Sequence, residues 1–274
     1  MPVWICRTCG VERAPSQEPP AVCPVCADER QFVPPEGQSW ATLEQLRAEG
    51  HETRVEELEP DLYGISVVPR FGIGQRALLL RTPGGNLLWD PTGYLDPPAV
   101  ERVRGLGGAA FVVASHPHMY GVQTEWSRAL GGVPVLVAQA DRSWVQRPDP
   151  AVETWTGTRE LLPGLILSTV GGHFPGSAVV HWPAGADGRG VLLAGDTVYV
   201  NPDRATVAFM RSYVNQFPLS AAVVERIAAT VTALPFDRLY GNTGGVIVSG
   251  ARDAVRRSAA RHVAWVSGDH DDLT

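Results

Sequence analysis

Short apolar runs bounded by glycine, proline and charged residues recur from residue 62 onward. Leu62–Val68, Arg76–Arg81 and Asn86–Trp89 read as strands, the last two joined across Thr82-Pro83-Gly84-Gly85. Pro98–Gly105 reads as a helix and is followed by the buried-strand run Ala109–Ala114. Val133–Val137, Leu165–Val170, Ser177–His181 and Val191–Ala194 are strand-like. The last quarter alternates helix Ser220–Ala233, strand Arg238–Tyr240 and helix Ala251–Val266. Strands interleaved with helices in this way predict a layered α/β domain over residues 62–274. Upstream, Ser39 to Gly50 predicts a short helix. Ser39 is the expected N-cap, Trp40, Leu43 and Leu46 fall at helical spacing, and Gly50 closes the helix. The acidic stretch from Glu52 to Asp61 reads as a solvated connection, so residues 37–61 are expected to form a helical linker. Residues 1–36 hold every cysteine and the Pro-rich pieces Glu18-Pro19-Pro20 and Pro34-Pro35, and are expected to form a separate module.

Composition narrows the chemistry. The chain of 274 residues is 44% hydrophobic, enough for one large core beside a small module. All of its basic residues are arginine, which excludes Schiff-base, pyridoxal-phosphate and P-loop lysine chemistry. A net charge of −6 argues against a nucleic-acid partner. No apolar run is long enough to span a membrane. The start shows no charged segment followed by a long apolar one, so no signal peptide is expected and the expected location is cytoplasmic. Cysteines there are expected to be metal ligands rather than disulfides.

Cys6-Arg7-Thr8-Cys9-Gly10 and Cys23-Pro24-Val25-Cys26 are two CxxC knuckles. Each offers two thiolates from one tight turn, and together they supply the tetrahedral sulfur set that zinc or iron accepts. A segment this short folds on the energy of metal ligation. Trp4-x-Cys6-x-x-Cys9-Gly10, Cys23-Pro24-x-Cys26 and Phe32 resemble the rubredoxin-like domain at the end of rubrerythrins. That resemblance implies iron and electron transfer. One zinc or iron ion is expected here, with structural zinc favoured because no flavin or haem partner is visible.

A second constellation involves histidine. Ser115-His116-Pro117-His118-Met119-Tyr120-Gly121 follows the apolar run Ala109–Ala114. Gly171-Gly172-His173-Phe174-Pro175-Gly176-Ser177 sets another histidine in a glycine-rich turn. Val191-Leu192-Leu193-Ala194-Gly195-Asp196-Thr197 ends a buried strand on a carboxylate. Together with Asn86-Leu87-Leu88-Trp89-Asp90-Pro91-Thr92-Gly93, these segments resemble the metallo-β-lactamase superfamily from about Leu62 to the C-terminus. The resemblance implies an αβ/βα sandwich, here preceded by the four-cysteine ribbon, with metal at one sheet edge. The family motif is HxHxDH, and this chain departs from it, with Tyr120 at the aspartate position and Gly121 at the last histidine. Asn242 stands where a later histidine is usual. The resemblance therefore implies one zinc or iron ion at His116, His118, His173 and Asp196, and a lost second site.

The expected function is that of a mononuclear metal-dependent hydrolase acting on a small ester, thioester, lactone or phosphodiester. Metal lowers the pKa of bound water from 15.7 towards about 7 and polarises the substrate oxygen. Asp196 would hold the ion or accept a proton, Tyr120 would donate to an oxyanion, and Arg211 and Tyr213 in the loop Asn201–Gln216 would touch substrate. Rival readings are a non-catalytic metal-binding or interaction protein, and a redox protein. The pairing of a rubredoxin-like module with this fold resembles the flavodiiron oxygen and nitric oxide reductases. Those need two irons and a flavin domain, for which this chain lacks the residues.

Overall fold

The computed structural model describes residues 1–274, and the chain divides between Thr156 and Gly157 into two compact units. Residues 1–36 and 37–61 both fall in the first.

The first unit is built on a seven-stranded sheet whose strands lie in chain order: Glu52–Glu59, Leu62–Val68, Ala77–Thr82, Gly85–Trp89, Phe111–Val113, Val135–Ala138 and Val152–Trp155. The first four are antiparallel hairpin neighbours and the last three pairings are parallel. Parallel neighbours need crossovers, and the helices Pro97–Gly105 and Gln123–Ala129 lie in the first two of these connections. Asp96 caps the first of these helices through the Ala99 N–H at 2.9 Å, with Pro97 and Pro98 in its opening turn. The core runs from Ile5, Cys6, Cys9 and Val25 through Leu79, Leu88 and Val112 to Trp126 and Val137. The cysteine ribbon is thus continuous with the sheet's core.

Two expectations change. The acidic stretch is an edge strand rather than a solvated connection: Glu52–Glu59 pairs along Leu62–Val68. Thr53 and Val55 are half-buried while Glu52, Arg54 and Glu56 are exposed, the alternation of a strand with one wet face, and charge on an edge discourages further pairing. The short helix is Leu43–Ala48, and its N-cap is Thr42, not Ser39. Thr42 Oγ1 accepts from the Gln45 N–H at 3.2 Å and Gln45 Oε1 accepts from the Thr42 N–H at 2.9 Å, a reciprocal capping box. Trp40 and Ala41 are instead a strand paired with Cys6 and Ile5.

The second unit carries a six-stranded sheet. Thr158–Leu162, Leu165–Thr169, Ala178–Trp182 and Val191–Ala194 form an antiparallel meander, Arg238–Gly241 pairs parallel to Val191–Ala194, and Val246–Ile247 closes the edge. Helices Ala221–Thr232 and Ala251–Val266 bury Val224, Ile227, Val231, Ala254 and Val255 in one core with Leu192, Ala194 and Leu239. The stretch expected as the loop Asn201–Gln216 contains Val207–Ala208, paired with Tyr199–Val200, and Met210–Ser212, paired with Phe217–Pro218.

Candidate metal centres

Two sets of side chains have the donor chemistry of a metal site. One is Cys6, Cys9, Cys23 and Cys26, and the other is His116, His118, His173 and Asp196. Among the cysteines, the Sγ atoms of Cys6 and Cys26 are 3.6 Å apart and those of Cys9 and Cys23 are 3.7 Å apart. Four thiolates on one zinc at about 2.3 Å form a tetrahedron with an edge of about 3.8 Å, so the sulfurs fit one ion. All four are buried. Hydrogen bonding to its three neighbours, followed by burial, pushes the Cys9 thiol well above its ordinary value. Hydrogen bonds from Cys23 and Cys6 raise Cys26 likewise, while hydrogen bonds from neighbouring cysteines lower the Cys6 and Cys23 thiols.

His116 and His118 belong to the first unit, on the turn after Phe111–Val113. The start of this turn is fixed by Asp90, a buried residue at φ +54°, whose Oδ1 accepts the Ser115 N–H at 2.6 Å. Ser115 Oγ lies 2.9 Å from His116 Nδ1, which leaves Nε2 on the far edge of the ring. The two imidazoles are buried with ring centroids 5.2 Å apart and planes 73° apart. The turn ends at Gly121, at φ +49°, where a Cβ would sit 2.2 Å from the Pro91 carbonyl oxygen and 2.5 Å from that of Thr92. A side chain there would have to displace main-chain atoms, so the turn disfavours a histidine ligand at 121 sterically. The Tyr120 hydroxyl donates to the Asp141 carbonyl at 3.3 Å. Burial, with the charge of Asp141, holds this phenol well above its ordinary value and removes it as a base near neutrality.

His173 and Asp196 belong to the second unit. The glycine turn before His173 is closed by Ser177, whose carbonyl accepts the N–H groups of Val170 and Gly171 and whose Oγ accepts that of Phe174. Thr197 Oγ1 donates to the Gly171 carbonyl at 2.5 Å, tying this turn to the residue beside Asp196. His173 Nδ1 lies 3.1 Å from the Met210 carbonyl, so Nδ1 carries the proton and Nε2 is the donor for an ion. Nε2 is 3.7 Å from Asp196 Oδ2, beyond a hydrogen bond and close to the separation of about 3.4 Å between two ligands of one tetrahedral ion. The other oxygen, Oδ1, accepts from Asn242 Nδ2 at 2.9 Å. Position 242, where a histidine is usual, is thus beside Asp196 as the motif requires, but holds an amide that orients the carboxylate.

Tyr213 packs on Tyr199 with centroids 4.6 Å apart, and its hydroxyl lies 2.8 Å from the Asp196 carbonyl. It supports the backbone at Asp196. Arg211 is half-buried on the strand Met210–Ser212. The remaining histidines serve packing or local bonding: His51 meets the Pro69 carbonyl, His181 that of Pro235 and His262 that of Leu219, and His270 packs against Trp265. Sequence reasoning missed Glu12, buried beside the end of the His116–His118 turn; nothing local distinguishes it from a surface glutamate.

No family model matches the chain. It is 44% identical over 271 residues to YmaE of Bacillus subtilis (strain 168), with 98% of each chain covered. Among solved structures it resembles VMB-1, at 16% identity and a TM-score of 0.58, covering 78% of this chain and 98% of that one. It also resembles the DIM-1 metallo-β-lactamase exposed to ceftazidime, at 14% identity and 0.55, covering 77% and 97%. TTHA1623 in a di-iron-bound form matches at 20% identity and 0.51, covering 70% and 96%. These likenesses show a metallo-β-lactamase fold.

Proposed function

We propose that this chain, which belongs to the same family as YmaE and has the metallo-β-lactamase fold, is a hydrolase with one catalytic metal ion held by His116, His118, His173 and Asp196. The observation that carries this reading is the donor set itself, three buried imidazoles and one carboxylate. Three histidines with a water in the remaining position match the open, catalytic type of zinc site, beside which Asp196 either holds the ion or accepts a proton. When bound, such an ion supplies a water of pKa near 7 and polarises an acyl or phosphoryl oxygen. The chain's own groups prepare that chemistry. The Met210 carbonyl fixes the His173 tautomer, Ser115 orients His116, and Asn242 orients Asp196 through Oδ1. Arg211 is the cation offered to an anionic or strongly polarised substrate. The substrate class is a small ester, thioester, lactone or phosphodiester. The four-cysteine ion is structural zinc.

Metal analysis of the purified protein, joined to a hydrolase panel covering these four classes, tests the reading. Two ions per chain are expected, with one lost in His118→Ala, and metal-dependent turnover of one class that this variant abolishes. A wild-type protein holding only the cysteine ion overturns the reading. Full loading with no turnover across the panel favours a non-catalytic metal-binding protein, and a visible iron–thiolate absorption band favours the redox alternative.

A further inference from the structure

The cysteine ribbon reaches the His116–His118 turn through Gly10 and Glu12, which metal ligation does not use. Gly10, directly after Cys9, adopts φ +79°, and the backbones at Gly93 and Gly72 pack against it. A Cβ on Gly93 would lie 2.9 Å from Gly10 Cα, and one on Gly72 would lie 2.8 Å from the Gly10 nitrogen. Gly93 ends the stretch from Asp90, whose carboxylate fixes Ser115 and whose neighbours Pro91 and Thr92 abut Gly121. The Val122 N–H donates to the Thr92 carbonyl at 3.0 Å. Glu12 then makes the direct link. Its N–H donates to the Gly121 carbonyl at 3.0 Å, its Oε1 accepts the Thr124 N–H at 2.5 Å, and its Oε2 meets Arg147 Nη1 at 2.5 Å. Glu12 and Arg147 are each 2% exposed.

A buried carboxylate held by a guanidinium is costly to desolvate, and the same atoms could be packed with apolar groups more cheaply. What the pair gives in return is a fixed acceptor for an N–H in the first turn of helix Gln123–Ala129, which is otherwise without a side-chain cap. That helix begins directly after the turn that carries both imidazoles. Asp90 therefore holds the front of the turn, and Glu12 with Thr92 holds its end.

We propose that Glu12 is a positioning residue for His116 and His118, through which the four-cysteine ribbon sets the geometry of the histidine metal site. The proposal rests on the hydrolase reading for the role of those histidines. Its physical content, that the ribbon orders the turn, is separate. A ribbon that has lost its ion frees Gly10–Glu12, and the turn loses the anchor at its far end.

The test uses the full chain, with Glu12→Ala compared against Leu46→Ala, a core truncation on the helix Leu43–Ala48 of the same unit. Amide exchange over residues 115–124 and zinc affinity at the histidine site are measured in both. In Glu12→Ala, exchange rises and zinc binds about 10–100-fold more weakly, the range expected when a support behind the ligands is lost. In Leu46→Ala both are unchanged despite a lowered Tm. Glu12→Gln, which keeps an oxygen for the Thr124 N–H, restores most of the exchange protection and carries the test if Glu12→Ala does not fold. Equal effects in Glu12→Ala and Leu46→Ala overturn the proposal, as does unchanged exchange in Glu12→Ala. If the wild-type histidine site binds no zinc, the hydrolase reading fails, while the exchange data still decide whether the ribbon orders the turn.

Discussion

Replacing Gly121 by alanine isolates the steric constraint at the end of the His116–His118 turn. At φ +49° an L-residue costs about 1–2 kcal/mol more than glycine. The added Cβ would also sit 2.2 Å from the Pro91 oxygen and 2.5 Å from the Thr92 oxygen. Both are main-chain atoms, so the strain cannot be relieved by a side-chain rotation. Overpacking of this kind costs about 1–3 kcal/mol, giving a total loss of about 2–5 kcal/mol. Gly108 is the matched control, at φ +67° with nothing within 4 Å of an added Cβ, so Gly108→Ala pays only the backbone cost. Thermal and urea unfolding of the two variants are the assay. At about 2–4 °C per kcal/mol, Gly121→Ala is expected to melt about 4–20 °C below the wild type, and Gly108→Ala about 2–8 °C below it. Equal losses in the two variants refute the close-approach argument. The same geometry predicts that Gly121→His does not create a new metal ligand, whatever is placed at positions 120 and 242.

Asn242→Ala leaves Asp196 Oδ1 without its amide donor, and isothermal titration is expected to show zinc bound about 10–100-fold more weakly at the histidine site, with the cysteine site unaffected. Unchanged affinity removes Asn242 from the site. Cys9→Ser is expected to lower the stability of the whole first unit, because its ribbon shares a core with Trp126 and Val137; limited proteolysis that trims only the first 36 or so residues and leaves a folded remainder contradicts this. Glu12 supplies a pH dependence. Burial, only partly offset by Arg147 and Thr124, pushes its carboxyl from 4.5 up to about 7. A raised acid stabilises the fold most when protonated, so its contribution is complete below about 4.5 and is lost as pH rises through about 7. At about 1.4 kcal/mol per pKa unit this amounts to about 3 kcal/mol. The wild type should therefore lose stability relative to Glu12→Gln between pH 5 and 8, as read from urea midpoints; parallel profiles refute it.

Residue types and spacing made the four-cysteine centre legible in the chain, and the histidine centre was legible through the resemblance of its segments to a superfamily. CxxC knuckles are local arrangements, in which the residue types and their short spacing already contain what an ion requires, whereas His116, His118, His173 and Asp196 are spread over 80 residues. The sequence by itself determined most elements too, because an apolar run ended by Gly or Pro needs no distant partner to be recognised; Val191–Ala194 and Ala251–Val266 stand where the pattern puts them. Tertiary structure decided what depends on long-range partners. Glu52–Glu59 is a strand because Leu62–Val68 offers it a ladder, although its composition reads as solvated. Trp40 and Ala41 leave the predicted helix because Ile5 and Cys6 pair with them, which moves the N-cap from Ser39 to Thr42. Asn242 meets Asp196 across 46 residues, and Glu12 meets Thr124 across 112. A hydrogen bond to a residue that far away leaves no periodicity or spacing in the chain. Only burial, which makes an unmet donor or charge costly, selects the partner, and burial exists only once the chain has folded.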